Sequence, residues 1–390
     1  MPEPTLTMDL DGLLRFAAAQ GVSDVHLKPG RPPIFRRGNA MDLVSPRGSA
    51  PLEVKDIQAL VEPIFQEHHR ILLREQGGTD LGWGIPGIGR FRINVFRSRL
   101  GLQAVMRLVP ARVPTLQELA LPPVLAGLAN ERRGLILVTG AAGQGKSTTL
   151  AGLVDQINRT RACHIVTIED PIEFMVEDRR AVVTQREVLT DTPTFAAGLR
   201  SALRQDPDVV LLGEMRDRET VEAVLQAAET GHLVLSTLHT VDARETVNRI
   251  LSVFEKHEHQ QVRLMLSAVL RAVVSQRLLT RKDGTGRVPA IELMLATPRI
   301  KDLLKTEDGP DEIPIAIAQS QAQYGMQTFD QSLMGLYRDG KISYEEAMAH
   351  ASSPADFALR LKGIGSGTDS DTLANQGGPS NTRGPDDLSF

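Results

Sequence analysis

The chain has 390 residues, 41% of them hydrophobic, and a formal net charge of −4 at pH 7. That length exceeds one ordinary core and points to two domains. The charge balance argues against a nucleic-acid partner, since such chains carry a basic excess. The single cysteine, Cys163, excludes an internal disulfide and a multi-cysteine zinc site.

The opening stretch "MPEPTLTMDLDGLLRF" carries acids and prolines where a signal peptide carries basic residues and an apolar core. No apolar run approaches the ~20 residues of a membrane helix. The expectation is a soluble cytoplasmic protein able to dock on a membrane complex. Leu10, Leu13, Leu14 and Ala17 follow the i, i+3, i+4, i+7 spacing of a helix that ends near Gly21. "SDVHLKPGRPPIFRRGN" then reads as strand, Gly-Pro turn, strand. In "GRFRINVFRSR", Phe91, Ile93 and Val95 alternate with Arg90, Arg92 and Asn94, a strand with one apolar and one basic face. "LQAVMRLVP" is its expected partner, so residues 1–112 read as a small α+β domain.

The prolines of "PARVPTLQELALPP" mark a linker, 113–132, with a short helix in it. From Arg133 apolar strands alternate with amphipathic helices, the pattern of a parallel α/β sheet. The strands are "LILVT" (135–139), "IVTIE" (165–169), "VVLLG" (209–213) and "LVLSTL" (233–238). Leu150, Leu153, Val154 and Ile157 mark one intervening helix; Val221, Val224, Leu225 and Ala228 mark another, closed by Gly231. Beyond about residue 250 the chain reads mostly helical. "GMQTFDQSLMGLYRDGKISYEEAMAHA" gives two helices around Asp339-Gly340. Residues 133–362 therefore form one α/β domain with a helical end. The Gly, Ser, Asp, Asn, Thr and Pro of 363–390 predict a disordered tail.

Between the strand "LILVT" and the helix beginning at Lys146 stands "GAAGQGKSTT". Gly140-x-x-x-x-Gly145-Lys146-Ser147 fits the P-loop pattern, in the context that pattern needs. Gly140, Gly143 and Gly145 let backbone N–H groups wrap an anion, and the helix N-terminus adds positive potential there. Lys146 can reach the β- and γ-phosphates, and Ser147 can ligate Mg²⁺. The whole stretch Gly140, Ala141, Ala142, Gly143, Gln144, Gly145, Lys146, Ser147, Thr148 is the candidate ATP cradle. Two acidic clusters fall at strand ends, where ligands of parallel sheets bind. One is Glu169-Asp170 with Glu173 a turn further; the other is Glu214 in "DPDVVLLGEMRD". Helix capping is the alternative use for such acids, Asp217 above all. "ETGHLVLSTLHT" puts His239 at the phosphate edge, placed to sense a γ-phosphate. His232 stands at the opposite end of that strand, where a structural role is the alternative.

Together, "GAAGQGKSTT", "HIVTIEDPIEF", "QREV", "RQDPDVVLLGEMRDRET" and "AAETGHLVLSTLHT" resemble the P-loop, Asp-box, Walker B and His-box set of the secretion-superfamily hexameric ATPases. With "GVSDVHL" and "GIGRFRINVF", the chain resembles the PilT/PilU group, the retraction motors of type IV pili, over about residues 8 to 361. The resemblance implies a homo-hexamer whose subunits pair an N-terminal PAS-like domain with a RecA-like ATPase domain. It implies that Lys146 and Ser147 bind ATP and Mg²⁺, and that Glu214 is the Walker B acid at the metal. It makes Glu173 the general base, supported by Glu169 and Asp170, with His239 and His232 in the His box. Arg90, Arg92 and Arg107 match basic positions that reach nucleotide, some across a subunit boundary. Solvated-face arginines are the alternative there. The implied partners are an inner-membrane pilus platform protein and a paralogous pilus ATPase, with a peripheral place at the inner membrane.

Two stretches depart from the group. Ala141-Ala142 replaces a usual Pro-Thr and Gln144 a usual Ser or Thr. "PRIKDLLKTE" (298–307) stands where "AIRNLIRE" is usual, keeping Ile300, Leu303 and Leu304 apolar. Rival readings are an assembly motor, a regulatory nucleotide-binding subunit with little turnover, and a DNA motor. Assembly motors usually carry a four-cysteine zinc module, which one cysteine cannot build. The acidic balance opposes the DNA motor.

Overall fold

A computed structural model describes residues 8–36, 43–44, 50–109 and 112–362. The tail expected at 363–390 lies outside the described residues. Two sheets organise the rest. The first comprises β1 (Asp24–Leu27), β2 (Ile34–Arg36), β3 (Leu43–Val44), β4 (Gly78–Ile85), β5 (Gly89–Ser98) and β6 (Gly101–Val109). Their order is β3-β2-β1-β6-β5-β4, every neighbouring pair antiparallel. The pleat of β5 sends Phe91, Ile93 and Val95 into the core and leaves Arg90 and Arg92 on the other face. Helices α1 (Leu10–Ala19), α2 (Val54–Val61) and α3 (Glu67–Glu75) bury Leu10, Leu13, Leu14, Ile57, Leu60 and Leu73 in the same core. Asp9 caps α1, its carboxylate accepting from the Gly12 amide at 2.8 Å.

The second sheet runs in the order β13-β12-β7-β11-β10-β8-β9. Its strands are β7 (Gly134–Thr139), β8 (His164–Glu169), β9 (Val182–Glu187), β10 (Val209–Leu212), β11 (Leu233–Leu238), β12 (Leu270–Thr280) and β13 (Arg287–Leu295). All pairs are parallel except β12–β13. Helices cover both faces, so the central strands are apolar without alternation. Leu135 and Leu137 of β7 enter one core, with α6 (Phe195–Ala202) and α7 (Arg218–Glu229). Ile136 and Val138 enter the other, with α4 (Val124–Leu128) and α5 (Lys146–Thr160). The helix positions read from spacing, Leu150, Leu153, Val154, Ile157, Val221, Val224, Leu225 and Ala228, are all buried.

The structure corrects one expectation. The region beyond residue 250 is helical except for a strand pair that its residue pattern hid. After α8 (Ala243–Ser252) and α9 (His259–Val269), the chain passes directly into β12 and returns as β13. "LRAVVSQRLLT" is buried on both faces, which erases the period of two that would have marked a strand. Within the linker, residues 116–120 form turns, and the short helix α4 starts only after Pro123. Leu116 and Leu121 are buried there, so this segment packs down rather than hanging free. Helices α10 (Pro298–Lys305), α11 (Gly309–Gln319), α12 (Gln321–Tyr324), α13 (Phe329–Arg338), α14 (Tyr344–His350) and α15 (Pro354–Leu361) follow. α13 and α14 flank Asp339-Gly340 as expected. In "PRIKDLLKTE", Ile300 and Leu304 are buried in the core while Asp302 and Lys305 pair on the surface.

Candidate nucleotide-binding active site

β7 delivers the P-loop at its carboxyl end. Gly140, Gly143 and Gly145 all take positive φ, which only glycine adopts without strain. A Cβ on Gly140 would lie 2.5 Å from the carbonyl oxygen of Gln276, so that position also needs the bare Cα for space. β12 grips the loop. Thr139 Oγ1 donates to Ser275 Oγ at 3.0 Å, Thr149 Oγ1 donates to Gln276 Oε1 at 2.8 Å, and the Leu278 amide donates to Gln144 Oε1 at 2.5 Å. Gln144, a departure from the family pattern, thus ties the loop to the next strand, while Ala141 and Ala142 are exposed.

Lys146 opens α5 with its side chain buried at 8% exposure. Its ammonium donates to the carbonyls of Gly140 at 2.7 Å and Ala141 at 3.0 Å. Burial lowers its pKa, and Glu214 and Glu173 act the other way. A cavity of about 350 Å³ opens beside it. Lys146, Ser147, Glu169, Asp170, Glu173, Glu214 and His239 all line that cavity, with Ala142, Gly143 and Arg92. An adjoining cavity of about 490 Å³ is lined by Gly145, Thr148 and Arg107 as well as Lys146 and Ser147. Residues distant in sequence therefore converge on one space at the carboxyl ends of the parallel strands.

The acids differ in setting. Glu169 ends β8 and accepts from Thr167 Oγ1 at 2.6 Å and Gln185 Nε2 at 3.2 Å. Burial pushes its carboxyl up, and these two donors pull it back. Asp170 is also pushed up, first by burial, with Arg216 opposing. Glu173 faces Arg92, whose Nη1 lies 3.9 Å from its Oε1. Glu214 is held by Arg216 Nη2 at 2.5 Å and by His239 Nε2 at 3.4 Å. Asp217 caps α7, accepting from the Thr220 amide at 2.8 Å, the role alternative to catalysis.

Two candidate residues stand away from the cavity. His232 precedes β11 at the far end of the strand, its Nδ1 3.0 Å from the Ala227 carbonyl. Arg90 does not line either P-loop cavity and ion-pairs with Glu187. Arg107 lines the adjoining cavity but its Nε donates to Asp24 at 2.7 Å. Conversely, Arg287 and Gln185 were not singled out in the sequence. Arg287 Nη1 donates to the Gly143 carbonyl at 3.3 Å and lines the adjoining cavity. It starts β13, a strand hidden by the helical reading of that region. Gln185 lies within the quoted "QREV", and its amide joins Glu169 to the Phe174 carbonyl.

A P-loop at the edge of a parallel sheet, facing carboxylates, a histidine and an arginine, defines a nucleotide-hydrolysing P-loop protein. Residues 85–306 match the family described as Type II/IV secretion system protein, and the chain belongs to that family and is an ATPase. It is 46% identical over 351 residues to the type IV pilus retraction ATPase PilT of Pseudomonas aeruginosa, covering 90% of this chain and 100% of that one. It is 39% identical over 368 residues to the type IV pilus ATPase PilU of the same organism, covering 94% and 95%. The crystal structure of the pilus retraction motor PilT with bound ADP superposes with a TM-score of 0.81 at 41% identity, over 89% of this chain and 98% of that one.

Proposed function

We propose that this chain is the subunit of a hexameric ATP-hydrolysing motor that drives type IV pilus retraction and twitching motility. One observation carries the reading: the alignment with a retraction ATPase runs along that relative's whole length at 46% identity. The site supports it. Lys146 and the P-loop amides bind the triphosphate, Glu173 takes the proton of the attacking water, and Arg92 answers the charge developing on the γ-phosphate.

The residues present fit a magnesium ion shared with the nucleotide. Among the described residues no cluster of three His, Cys, Asp or Glu side chains could hold a metal unaided. Mg²⁺ is typically held through one or two carboxylates plus substrate phosphates. Ser147 and Glu214 line the same cavity and would hold it. The ion would neutralise charge on the phosphate oxygens.

In this reading residues 1–112 form a PAS-like domain, 113–132 a linker and 133–362 the RecA-like ATPase domain. No helix among the described residues is long and apolar enough to cross a membrane. In the same reading the ring acts from the cytoplasm, seated peripherally on the inner-membrane platform protein of the pilus. A second reading, an accessory paralogue with little turnover, draws on the near full-length match to PilU. Purified rings decide between them. Steady ATP hydrolysis that Lys146→Ala abolishes supports the motor; wild-type turnover no faster than that of Lys146→Ala selects the accessory role.

A further inference from the structure

Arg90 and Arg92 lie two residues apart on one face of β5, yet their guanidinium groups go to different places. Arg92 reaches the phosphate cavity. Arg90 runs into a separate space of about 260 Å³ lined by His69, Trp83, Ile172 and Glu187. There it pairs with Glu187 at the end of β9, the two side chains being 15% and 7% exposed. The guanidinium lies directly over Gly82 of β4, where a Cβ would collide with its Nη2.

Glu187 is in turn a hub for the acidic loop. Its Oε2 accepts from the Ile172 amide at 3.1 Å, one residue before Glu173. Its backbone is registered beside Glu169 across the β8–β9 pair. Its own amide donates to Asp191 at 2.8 Å, which fixes the end of the strand. A buried carboxylate that loses its cation is left uncompensated, and its surroundings must move to rehydrate it.

We infer that Arg90 is a positioning residue: through Glu187 and the Ile172 amide it locks the N-terminal sheet to the loop that carries Glu173. The lock sets Arg92 and Glu173 against each other across the cavity, 3.9 Å apart. Arg90 acts within its own chain and does not touch nucleotide. The inference rests on the hydrolytic reading of the site, but its geometric half is testable without hydrolysis.

The experiment uses full-length rings with four variants: Arg90→Ala, Glu187→Ala, Gly82→Ala and the charge swap Arg90→Glu/Glu187→Arg. Both single alanine variants of the pair should lower kcat roughly 10- to 100-fold, the scale of a misplaced catalytic group. Their Kd for a fluorescent ATP analogue should stay within about threefold of wild type, because no ground-state contact is lost. Gly82→Ala, which keeps both charges and crowds only the flexible end of Arg90, should lower kcat less than either alanine variant of the pair. The charge swap should recover part of the rate. Amide exchange over residues 170–175 should accelerate in Arg90→Ala while exchange over the P-loop stays unchanged, whether or not the ring turns over. A tenfold loss of analogue affinity in Arg90→Ala, with exchange over 170–175 unchanged, would make Arg90 a nucleotide contact and overturn the lock. Wild-type kcat in Glu187→Ala would overturn it too.

Discussion

Nδ1 of His239 lies 3.4 Å from Nζ of Lys146, and Nε2 of the same ring lies 3.4 Å from Oε2 of Glu214. An ammonium can only donate, so Nδ1 accepts and Nε2–H points at the carboxylate. The imidazole thus joins the phosphate cation to the acid expected at the metal. Replacing it frees both partners to shift without removing either. His239→Ala should lower kcat roughly 10- to 100-fold, the scale of misplaced partners, with ATP affinity changed far less. Equal losses in kcat and affinity would make His239 a binding residue instead.

The carboxylates should separate by role. Glu173 is open to the cavity and faces Arg92, whereas Glu169 is engaged by Thr167 and Gln185. Glu173→Gln should still bind ATP but hydrolyse it about 10²- to 10⁴-fold more slowly, the usual contribution of a general base. Glu169→Gln keeps an acceptor for Thr167 and should cost far less. Single-turnover rates on both variants check the order; the reverse order moves the base to Glu169.

The cradle itself makes a steric prediction. Gly140 has φ of 140°, and its would-be Cβ meets a backbone oxygen of β12 at 2.5 Å. A strand paired on both sides, as β12 is with β13 and β7, cannot give way as a flexible side chain would. Gly140→Ala should therefore weaken ATP binding at least tenfold while the sheet stays folded, read by calorimetric titration alongside circular dichroism. Unchanged affinity would show that the loop tolerates a wider bend.

A buried acid outside the cavity predicts a pH effect. Glu292 of β13 accepts from the Ala243 amide at 2.8 Å, at the start of the helix that follows the His239 loop. Burial, reinforced by Asp242 and Asp330 and opposed by the Ala243 amide and Arg277, pushes its carboxyl from 4.5 to about 7. The folded chain then holds this proton more tightly than the unfolded chain. The stabilisation is full below pH 4.5 and is lost as pH rises through about 7. Glu292→Gln still offers an oxygen to Ala243, so it should raise the melting temperature at pH 8 and flatten its fall between pH 5 and pH 8. Parallel slopes for the two proteins would contradict the assignment.

Much of this was legible in the residues. The P-loop motif binds through backbone geometry, so its glycines and Lys146 announce themselves locally. The strand-end acids follow from the rule that parallel sheets gather ligands at their carboxyl edges. What stayed hidden depends on tertiary contact. The grip of Gln276 and Leu278 on the loop could not be read while β12 passed for helix, because burial on both faces removes a strand's alternation. Likewise, nothing in "GRFRINVFRSR" separates Arg90 from Arg92. Their divergence is decided by Gly82 and Glu187, distant in sequence.

ATP turnover at Lys146 powers pilus retraction in this reading. The most direct measurement is pilus retraction in a strain lacking this gene, complemented with wild type or with Lys146→Ala. Wild type should restore retraction and surface motility, while Lys146→Ala should leave pili extended and the cells immotile. Retraction at the wild-type rate in cells carrying only Lys146→Ala would contradict it.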